Sequence, residues 1–320
     1  MLNTERSAVV VSTTRRSVDL VDGEQRVRAI SASSALHVAV GDNVTYIDKG
    51  EDASVVAVMP RLNVLTRTYG REERVIAANI DLVCAVVAMQ PLFNPVFIDR
   101  CILATQVQNI PLLLIVNKID KGLDETEPAL RLYRHLGVEM LLISAKHRHG
   151  LEALEERLRT PGLNRVVFCG LSGVGKSTLL QTLLPLEKIK TAEVSERIGQ
   201  GRQTTSQAVA YLRKLEFKGQ FLIDTPGFQN FGIGNIPRET VLAAYPDLME
   251  HSVKCGFDNC SHINEEDCGV KQAVYNNKIA YSRYMSFTGI MQEIEEFNDP
   301  GSGPKFKKRG AKKRRRELPE

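Results

Sequence analysis

The sequence predicts an α/β protein built on a mostly parallel sheet, with a small all-β barrel before it and a helical, cysteine-bearing segment after it. Three observations carry this. Residues 81–224 alternate continuous apolar runs with helix signals, residues 8–60 hold five short β-type runs, and strand signals stop beyond about residue 237. The 320-residue chain has room for two or three domains at about 150 residues each. With 43% hydrophobic and 25% charged residues it is neither a disordered chain, a collagen-like fibre nor a membrane bundle.

The barrel comes first. AVVVS, SVDLV, RVRAIS, NVTYID and SVVAVM are rich in Val, Ile and Thr, and Asp22-Gly23, Gly41-Asp42 and Lys49-Gly50 punctuate them. Five short strands suit a barrel of the OB or SH3 kind, and periodicity alone does not separate the two. From residue 81 the rhythm changes: DLVCAVVA and PLLLIVN are unbroken apolar runs, the pattern of strands buried on both faces. Between them Asn94 is an N-cap and Pro95 a first helical residue, with Ile98, Cys101, Ile102 and Thr105 on one face. Helices are expected over 123–136 and 151–159, and strands at MLLIS, RVVFC, AVAYL and QFLID. Residues 238–250 and 270–297 read as helices, and Asp299-Pro-Gly-Ser-Gly-Pro304 as a flexible linker. The expected domains are 1–70, 71–237 and 238–298, with a basic tail at 299–320.

Charge is uneven. Residues 305–320 hold nine Lys or Arg and two Glu, so the net charge of +4 conceals a body of 33 basic and 36 acidic residues. Such a run is often just a solvated face, but its density points to a polyanion, RNA first. The longest dense apolar patch, residues 112–116, is too short to span a bilayer, and the N-terminus lacks a secretory pattern, so a cytoplasmic protein with no membrane partner is expected. Cys84, Cys101 and Cys169 lie in apolar stretches and read as core.

The strongest motif is Gly170-Leu171-Ser172-Gly173-Val174-Gly175-Lys176-Ser177, which follows the strand RVVFC and opens a helix at Thr178. Its glycines let backbone N–H groups curl around phosphate oxygens, and the helix N-terminus adds positive charge. Lys176 would reach the β/γ-phosphates and Ser177 would offer a hydroxyl to Mg²⁺. Asp224-Thr-Pro-Gly227 ends the strand QFLID: Asp224 is placed to hold Mg²⁺ through water, and Gly227 to bring its N–H to a γ-phosphate. Alone, DTPG is equally a tight turn; a phosphate loop about fifty residues upstream favours the functional reading.

Asn117-Lys118-Ile119-Asp120 ends the strand LLLIV. Asp120 would accept from the ring N–H and exocyclic amine of guanine, whereas against adenine it would be left unpaired. Asn117 would brace the loop, Lys118 would pack over the base, and Ser144-Ala145-Lys146 would give a backbone N–H to the guanine carbonyl. Either motif alone is weak, but together they sit at strand ends at the expected separation.

The order of the motifs is the discriminating feature. An ordinary GTPase runs phosphate loop, DxxG, NKxD, SAK; here NKID and SAK precede GLSGVGKS and DTPG. With Arg61-Leu-Asn-Val-Leu-Thr-Arg67, Ala77-Ala-Asn-Ile-Asp81 and Gly201-Arg202-Gln-Thr-Thr205, this resembles the circularly permuted GTPases, specifically the RsgA (YjeQ) family of small-ribosomal-subunit assembly GTPases. The resemblance covers residues 8–297. It implies an OB-fold barrel, a circularly permuted α/β P-loop GTPase domain and a helical zinc-binding domain.

The resemblance further implies a GTPase, binding GTP and GDP with Mg²⁺, stimulated by the small (30S) ribosomal subunit late in its assembly and contacting its rRNA. Residues 201–205 would form the first switch, with Thr204 or Thr205 closing on Mg²⁺ and γ-phosphate. Phe228 stands where Ras-like enzymes carry a water-orienting Gln, so slow intrinsic hydrolysis is expected. The family usually reads G-R-H-T-T in this switch; Gln203 stands in place of the His and becomes the candidate for orienting water, though it is equally readable as a ribosome or solvent contact.

Cys255-x4-Cys260-x-His262-x5-Cys268 offers three thiolates and one imidazole, a set that suits tetrahedral Zn²⁺ with no open position. The spacing belongs to no common finger class, but it matches the family's zinc segment ligand for ligand. Three free thiols in a polar loop, or His251 as substitute ligand, are the competing readings. A GTP-regulated rRNA-binding factor with incidental hydrolysis competes with the GTPase switch. Nothing in the sequence suggests more than a monomer.

Overall fold

The computed structural model describes residues 4–298 except 15, 34, 49–52, 70–71, 89–92, 124–126, 185–207, 214–218, 226–230 and 234–235. The N-terminal strands are β1 (Glu5–Thr13), β2 (Val18–Asp22), β3 (Gln25–Ser31), β4 (Asn43–Asp48) and β5 (Ala53–Val58). They pair in the order β1-β2-β3-β5-β4, β4 closes back on β1, and only β3–β5 is parallel. This five-stranded closure is the OB type, which resolves what periodicity left open. Alternate residues, among them Val10, Leu20, Val44, Tyr46 and Val55, fill the barrel. On the opposite face of β1, Val11 packs into the neighbouring core, and the register of the strand shifts between Val10 and Ser12.

A hairpin not expected from the sequence follows: β6 (Val64–Tyr69) and β7 (Glu72–Ala78), running across the expected boundary at 70/71. Its root is tied to the barrel. Ala77 bridges Val40, Ala78 N–H donates to Val40 O at 2.9 Å, and Asn79 Nδ2 donates to Gly41 O at 3.1 Å. The two family stretches flanking the hairpin prove to be joints. Asn63 Oδ1 accepts from Ile80 N–H at 2.7 Å while its Nδ2 donates to Ile80 O at 2.9 Å. Arg61 forks onto the buried Asp42 carboxylate at 2.7 and 2.8 Å. Asp81 Oδ2 accepts from the backbone of Asn164 and Arg165, each at 2.8 Å.

The α/β domain holds β8 (Leu82–Ala88), β9 (Leu112–Asn117), β10 (Glu139–Leu142), β11 (Arg165–Gly170), β12 (Val209–Arg213) and β13 (Gln220–Asp224). Their order is β10-β9-β8-β11-β13-β12, parallel except for β12. Every residue of β8 is buried, as its unbroken apolar run requires. The pair Ser12–Val209 joins barrel and α/β domain into one continuous sheet.

Helices α1 (Pro95–Val107), α2 (Glu127–His135), α3 (Leu151–Leu158) and α4 (Lys176–Leu183) cover this sheet. Asn94 caps α1, its side chain accepting from Phe97 N–H. Ile98, Cys101 and Thr105 are buried as expected and Ile102 is half-buried, but Asp99, Arg100 and Leu103 are buried too. The last helix covers α1 from the other side.

Both C-terminal helix expectations need correction. Residues 238–250 form two helices, α5 (Arg238–Ala243) and α6 (Pro246–Ser252), because Pro246 starts a new helix. Residues 270–297 likewise divide into α7 (Gly269–Tyr275) and α8 (Tyr281–Asn298), with Asn277 in the left-handed region at φ 55° between them. These helices share a core of Val241, Tyr245, Leu248, Phe287, Ile290 and their neighbours. Among the described residues no helix is long and apolar enough to cross a membrane.

Candidate nucleotide site and metal centre

The four motifs gather at the C-terminal ends of adjacent parallel strands, the side of an open α/β sheet where ligands bind. Asn117 ends β9, Ser144 follows β10, Gly170 ends β11 and Asp224 ends β13. Asn117 ties three loops together. Its Oδ1 accepts from Lys118 N–H at 2.8 Å and Ala145 N–H at 2.9 Å, and its Nδ2 donates to Val174 O at 3.0 Å. Gly175 lies directly against this amide: φ is +90°, and a Cβ there would stand 2.4 Å from Asn117 Nδ2. Lys118, left-handed at φ 65°, donates its ammonium to Gly173 O at 2.5 Å, so its stem crosses from one loop to the other.

Asp120 sits in a short 3₁₀ turn, Ile119–Lys121. Ser144 Oγ donates to its Oδ1 at 2.5 Å, and His147 Nε2 lies 3.7 Å from Oδ2. The Ser144 hydroxyl holds the Asp120 carboxyl below the usual carboxylate range. A fixed, ionised acceptor pair is the chemistry that guanine's two adjacent donors need. Lys146 is exposed beside it.

Lys176 opens α4 almost fully buried and pairs through its ammonium with Asp224. Burial pushes the Asp224 carboxyl up and Lys176 pulls it back. Ser177 and Thr178 are exposed in the first turn, where the helix N–H groups point outward. Thr225, which motif reading passed over, holds the start of the DTPG loop: its N–H and Oγ1 both donate to Phe168 O, at 3.2 and 2.9 Å. The buried strand end before it was the only sequence signal. Gln203, Thr205, Gly227 and Phe228 lie outside the described residues.

The cysteine segment converges. One ligand atom each from Cys255, Cys260, His262 and Cys268 lie within 4.8 Å of one another. His262 Nδ1 is 3.5 Å from Cys255 Sγ and 3.6 Å from Cys268 Sγ, and those sulfurs are 3.9 Å apart. Zn–S bonds of about 2.3 Å and Zn–N bonds of about 2.0 Å at tetrahedral angles demand edges of about 3.8 Å (S to S) and about 3.5 Å (S to N). The donor set therefore fits a tetrahedral ion, and His251 is not part of it. Outer bonds orient the ligands: Tyr284 Oη donates to His262 O at 2.9 Å and Lys271 N–H to Cys268 Sγ at 3.4 Å. Glu265 accepts from both the N–H and hydroxyl of Ser261, which hold its carboxyl down to about 2.

Residues 58–234 match the family described as RsgA GTPase. A small ribosomal subunit biogenesis GTPase RsgA of Bordetella pertussis is 35% identical over 281 residues, covering 87% of this chain and 92% of that one. Its counterpart in Chlorobaculum parvum is 35% identical over 275 residues, covering 81% and 86%. YjeQ from Thermotoga maritima superposes with a TM-score of 0.65 at 29% identity, over 91% of this chain and 99% of that one. YloQ, a circularly permuted GTPase, matches in fold with a TM-score of 0.60 at 22% identity, covering 92% and 97%.

Proposed function

The chain belongs to the RsgA GTPase family, and on that premise we propose that it binds the small ribosomal subunit and hydrolyses GTP, under that subunit's stimulation, late in the subunit's assembly. The observation that carries the nucleotide reading is the Asn117 side chain, which joins NKID, SAK and phosphate loops that the sequence holds in rotated order. Asp120 reads guanine, with Ile119 and Lys118 shaping the floor and Ala145 near the carbonyl. The N–H groups of residues 170–178 cradle the phosphates. Lys176 moves its charge from Asp224 to the β/γ-phosphates when nucleotide is present.

Mg²⁺, when bound, neutralises charge growing on the transferred phosphoryl oxygens; Ser177, Asp224 and Thr205 are its candidate holders. Gly227 gives an N–H to the γ-phosphate, and Gln203 orients the attacking water that Phe228 leaves without a partner. Gln203→Ala lowers ribosome-stimulated turnover; an unchanged rate removes Gln203 from the mechanism.

The metal is Zn²⁺ in a structural role. Burial pushes the Cys260 thiol up to about 12, a penalty that a divalent cation among the sulfurs reverses. The barrel, the zinc segment and the basic residues 305–320 act as separate rRNA contacts on one cytoplasmic, monomeric chain. The domain limits proposed are 1–70, 71–237, 238–298 and 299–320. Ile233, in the helical core, follows DTPG closely, so loss of the γ-phosphate alters how the helical domain is held. Hydrogen exchange over 238–297 that is identical with GDP and a GTP analogue argues against this.

The slow intrinsic chemistry expected from Phe228 is compatible with a second reading as well. In it, GTP only sets affinity for rRNA and hydrolysis is incidental. GTP turnover with and without small subunits, with large subunits as control, separates the two. Stimulation by small subunits alone supports the switch; GTP-dependent binding without stimulation supports the binding factor.

A further inference from the structure

The metal loop and the helices that follow it carry opposite charge. Residues 255–268 hold four Asp or Glu and no Lys or Arg, whereas residues 269–292 hold two Lys, one Arg and no Asp or Glu. The turn between α7 and α8 lies in this acid-free stretch. Tyr275 ends α7 and Tyr281 begins α8, and they are 86% and 67% exposed. Met285, one turn along α8 from Tyr281, is 47% exposed. Two rings left in water add little to folding, since neither is removed from solvent. The backbone beneath them is fixed: Lys278 N–H donates to Ala273 O at 2.8 Å, Asn277 N–H donates to Val274 O at 3.0 Å, and Ile279 is buried in the helical core. Asn276, Asn277 and Lys278 are exposed between the two rings in sequence. Among the described residues, the Lys278 ammonium and the side-chain amides of Asn276 and Asn277 make no hydrogen bond or ion pair within the chain.

We infer that the α7–α8 turn is a platform for unpaired RNA: Tyr275 and Tyr281 stack on bases, Lys278 meets phosphate, and Asn276 and Asn277 offer donors and acceptors to base edges. This rests on the reading that the chain binds rRNA, and it places the helical domain's contact on the turn and not on the acidic metal loop. A protein partner suits the turn less, because Lys278 stands where the core of a protein interface excludes Lys. A duplex suits it less too, because paired bases keep their faces stacked inside the helix. The turn therefore grips nucleotides while they are unpaired and loses them as the RNA pairs. Its fixed backbone leaves little to be ordered on binding.

The test uses the full chain and end-labelled probes in fluorescence anisotropy: a short unstructured oligoadenylate, a ribose-phosphate backbone of the same length without bases, and an RNA duplex. The basic residues 305–320 act on all three through phosphate, so the comparison between probes isolates the bases. Tyr275→Ala and Tyr281→Ala are each expected to weaken oligoadenylate binding at least about fivefold, the low end for one lost base–aromatic stack, and to leave the other two probes within about twofold. Tyr275→Phe and Tyr281→Phe keep the ring and stay near the parent. Lys278→Gln weakens oligoadenylate and baseless backbone alike and lowers the salt slope by about 0.7. Should an alanine variant fail to fold, leucine at that position, bulky but without a π-face, decides. An alanine variant that binds oligoadenylate like the parent, an equal loss on the baseless backbone, or a loss in the phenylalanine variants overturns the inference. Binding to purified small ribosomal subunits separates the two levels. If the parent binds neither subunits nor oligoadenylate, the rRNA reading fails and the platform falls with it. If the parent binds subunits and the alanine variants lose nothing on oligoadenylate or on subunits, the platform alone is refuted. If those variants lose affinity for subunits but keep it for oligoadenylate, the rings meet a ribosomal protein and the assignment to RNA is overturned.

Discussion

Arg283 joins the helical domain to the α/β domain, and its removal has a calculable cost. Its guanidinium, fully buried in α8, bonds Asp99 Oδ1 of α1 at 2.5 Å and forks onto Asp247 of α6 at 2.9 and 3.1 Å. It also stacks 4.1 Å from the Tyr245 ring centre. In Arg283→Met two carboxylates lose their partner, but unequally. The Asp247 side chain is 15% exposed and turns to water, while that of Asp99 is 0% exposed and keeps two neutral hydroxyls, Tyr133 Oη at 2.8 Å and that of Ser286. One stranded buried charge costs about 3–5 kcal/mol. Burial pushes the Asp99 carboxyl up and Arg283 is the largest influence pulling it down, so the variant retains the upward push. A carboxyl raised in the folded state stabilises fully below its unfolded pKa of about 3.9 and loses that contribution as pH rises through the folded value. The deficit against the parent is therefore smallest in acid and largest at neutral pH. Urea unfolding followed by circular dichroism at pH 5 and pH 7.5 measures it, with Asp99→Asn/Arg283→Met as the relieved pair. A deficit under about 1 kcal/mol at neutral pH, no narrowing in acid, or no relief in the pair refutes the assignment of Asp99 as the stranded charge.

Four further outcomes follow from the site geometry. Gly175→Ala forces a Cβ against the Asn117 amide and should lower GDP affinity at least about tenfold by titration with a fluorescent nucleotide, given a left-handed cost of about 1–2 kcal/mol alone. Asp120→Asn exchanges an acceptor for a donor and should shift preference from guanine to xanthine nucleotides in competition binding. Chelation, or Cys268→Ser, should release the metal as read by elemental analysis, with loss of amide protection across α6 and α7 whether or not GTP is present. Buried Tyr46 donates to Asp22 Oδ2 at 2.8 Å, and burial followed by that bond raises its phenol to about 12. The barrel should hold its stability below pH ~10 and lose it between pH ~10 and ~12, a fall that Tyr46→Phe removes in alkaline unfolding curves.

The strands of the barrel and sheet were legible because their burial is one- or two-sided in a way that the spacing of apolar residues records. The motif residues were legible because phosphate and guanine restrict side-chain type at each position. The hairpin β6–β7 escaped notice because VLTRTY and EERVIAA carry charge on a half-exposed ribbon, and their stabilising contacts lie far away in sequence, at Val40 and Phe231. Arg61, Asn63, Asn79 and Asp81 were seen as part of a family pattern, but their work as joints depends on which backbone groups meet in space. The burial of Asp99 and Arg100 on α1 was equally hidden, since both look solvent-facing until α8 supplies Arg283 and Glu293. The tetrahedral spacing of the metal ligands was foreseeable in chemistry but not in geometry.

The strand order also governs how the chain can fold as it leaves the ribosome. Synthesis delivers β8, β9 and β10 consecutively, and these three are neighbours, so the guanine-reading half of the sheet can assemble first. Every side chain of β8 is buried in the finished fold, yet the edge that receives β11 stays open until about eighty residues later. During that interval an apolar, unpaired strand is offered to any partner. Slowing translation between residues 117 and 165 should therefore raise aggregation, and β11 is the strand that ends the exposure.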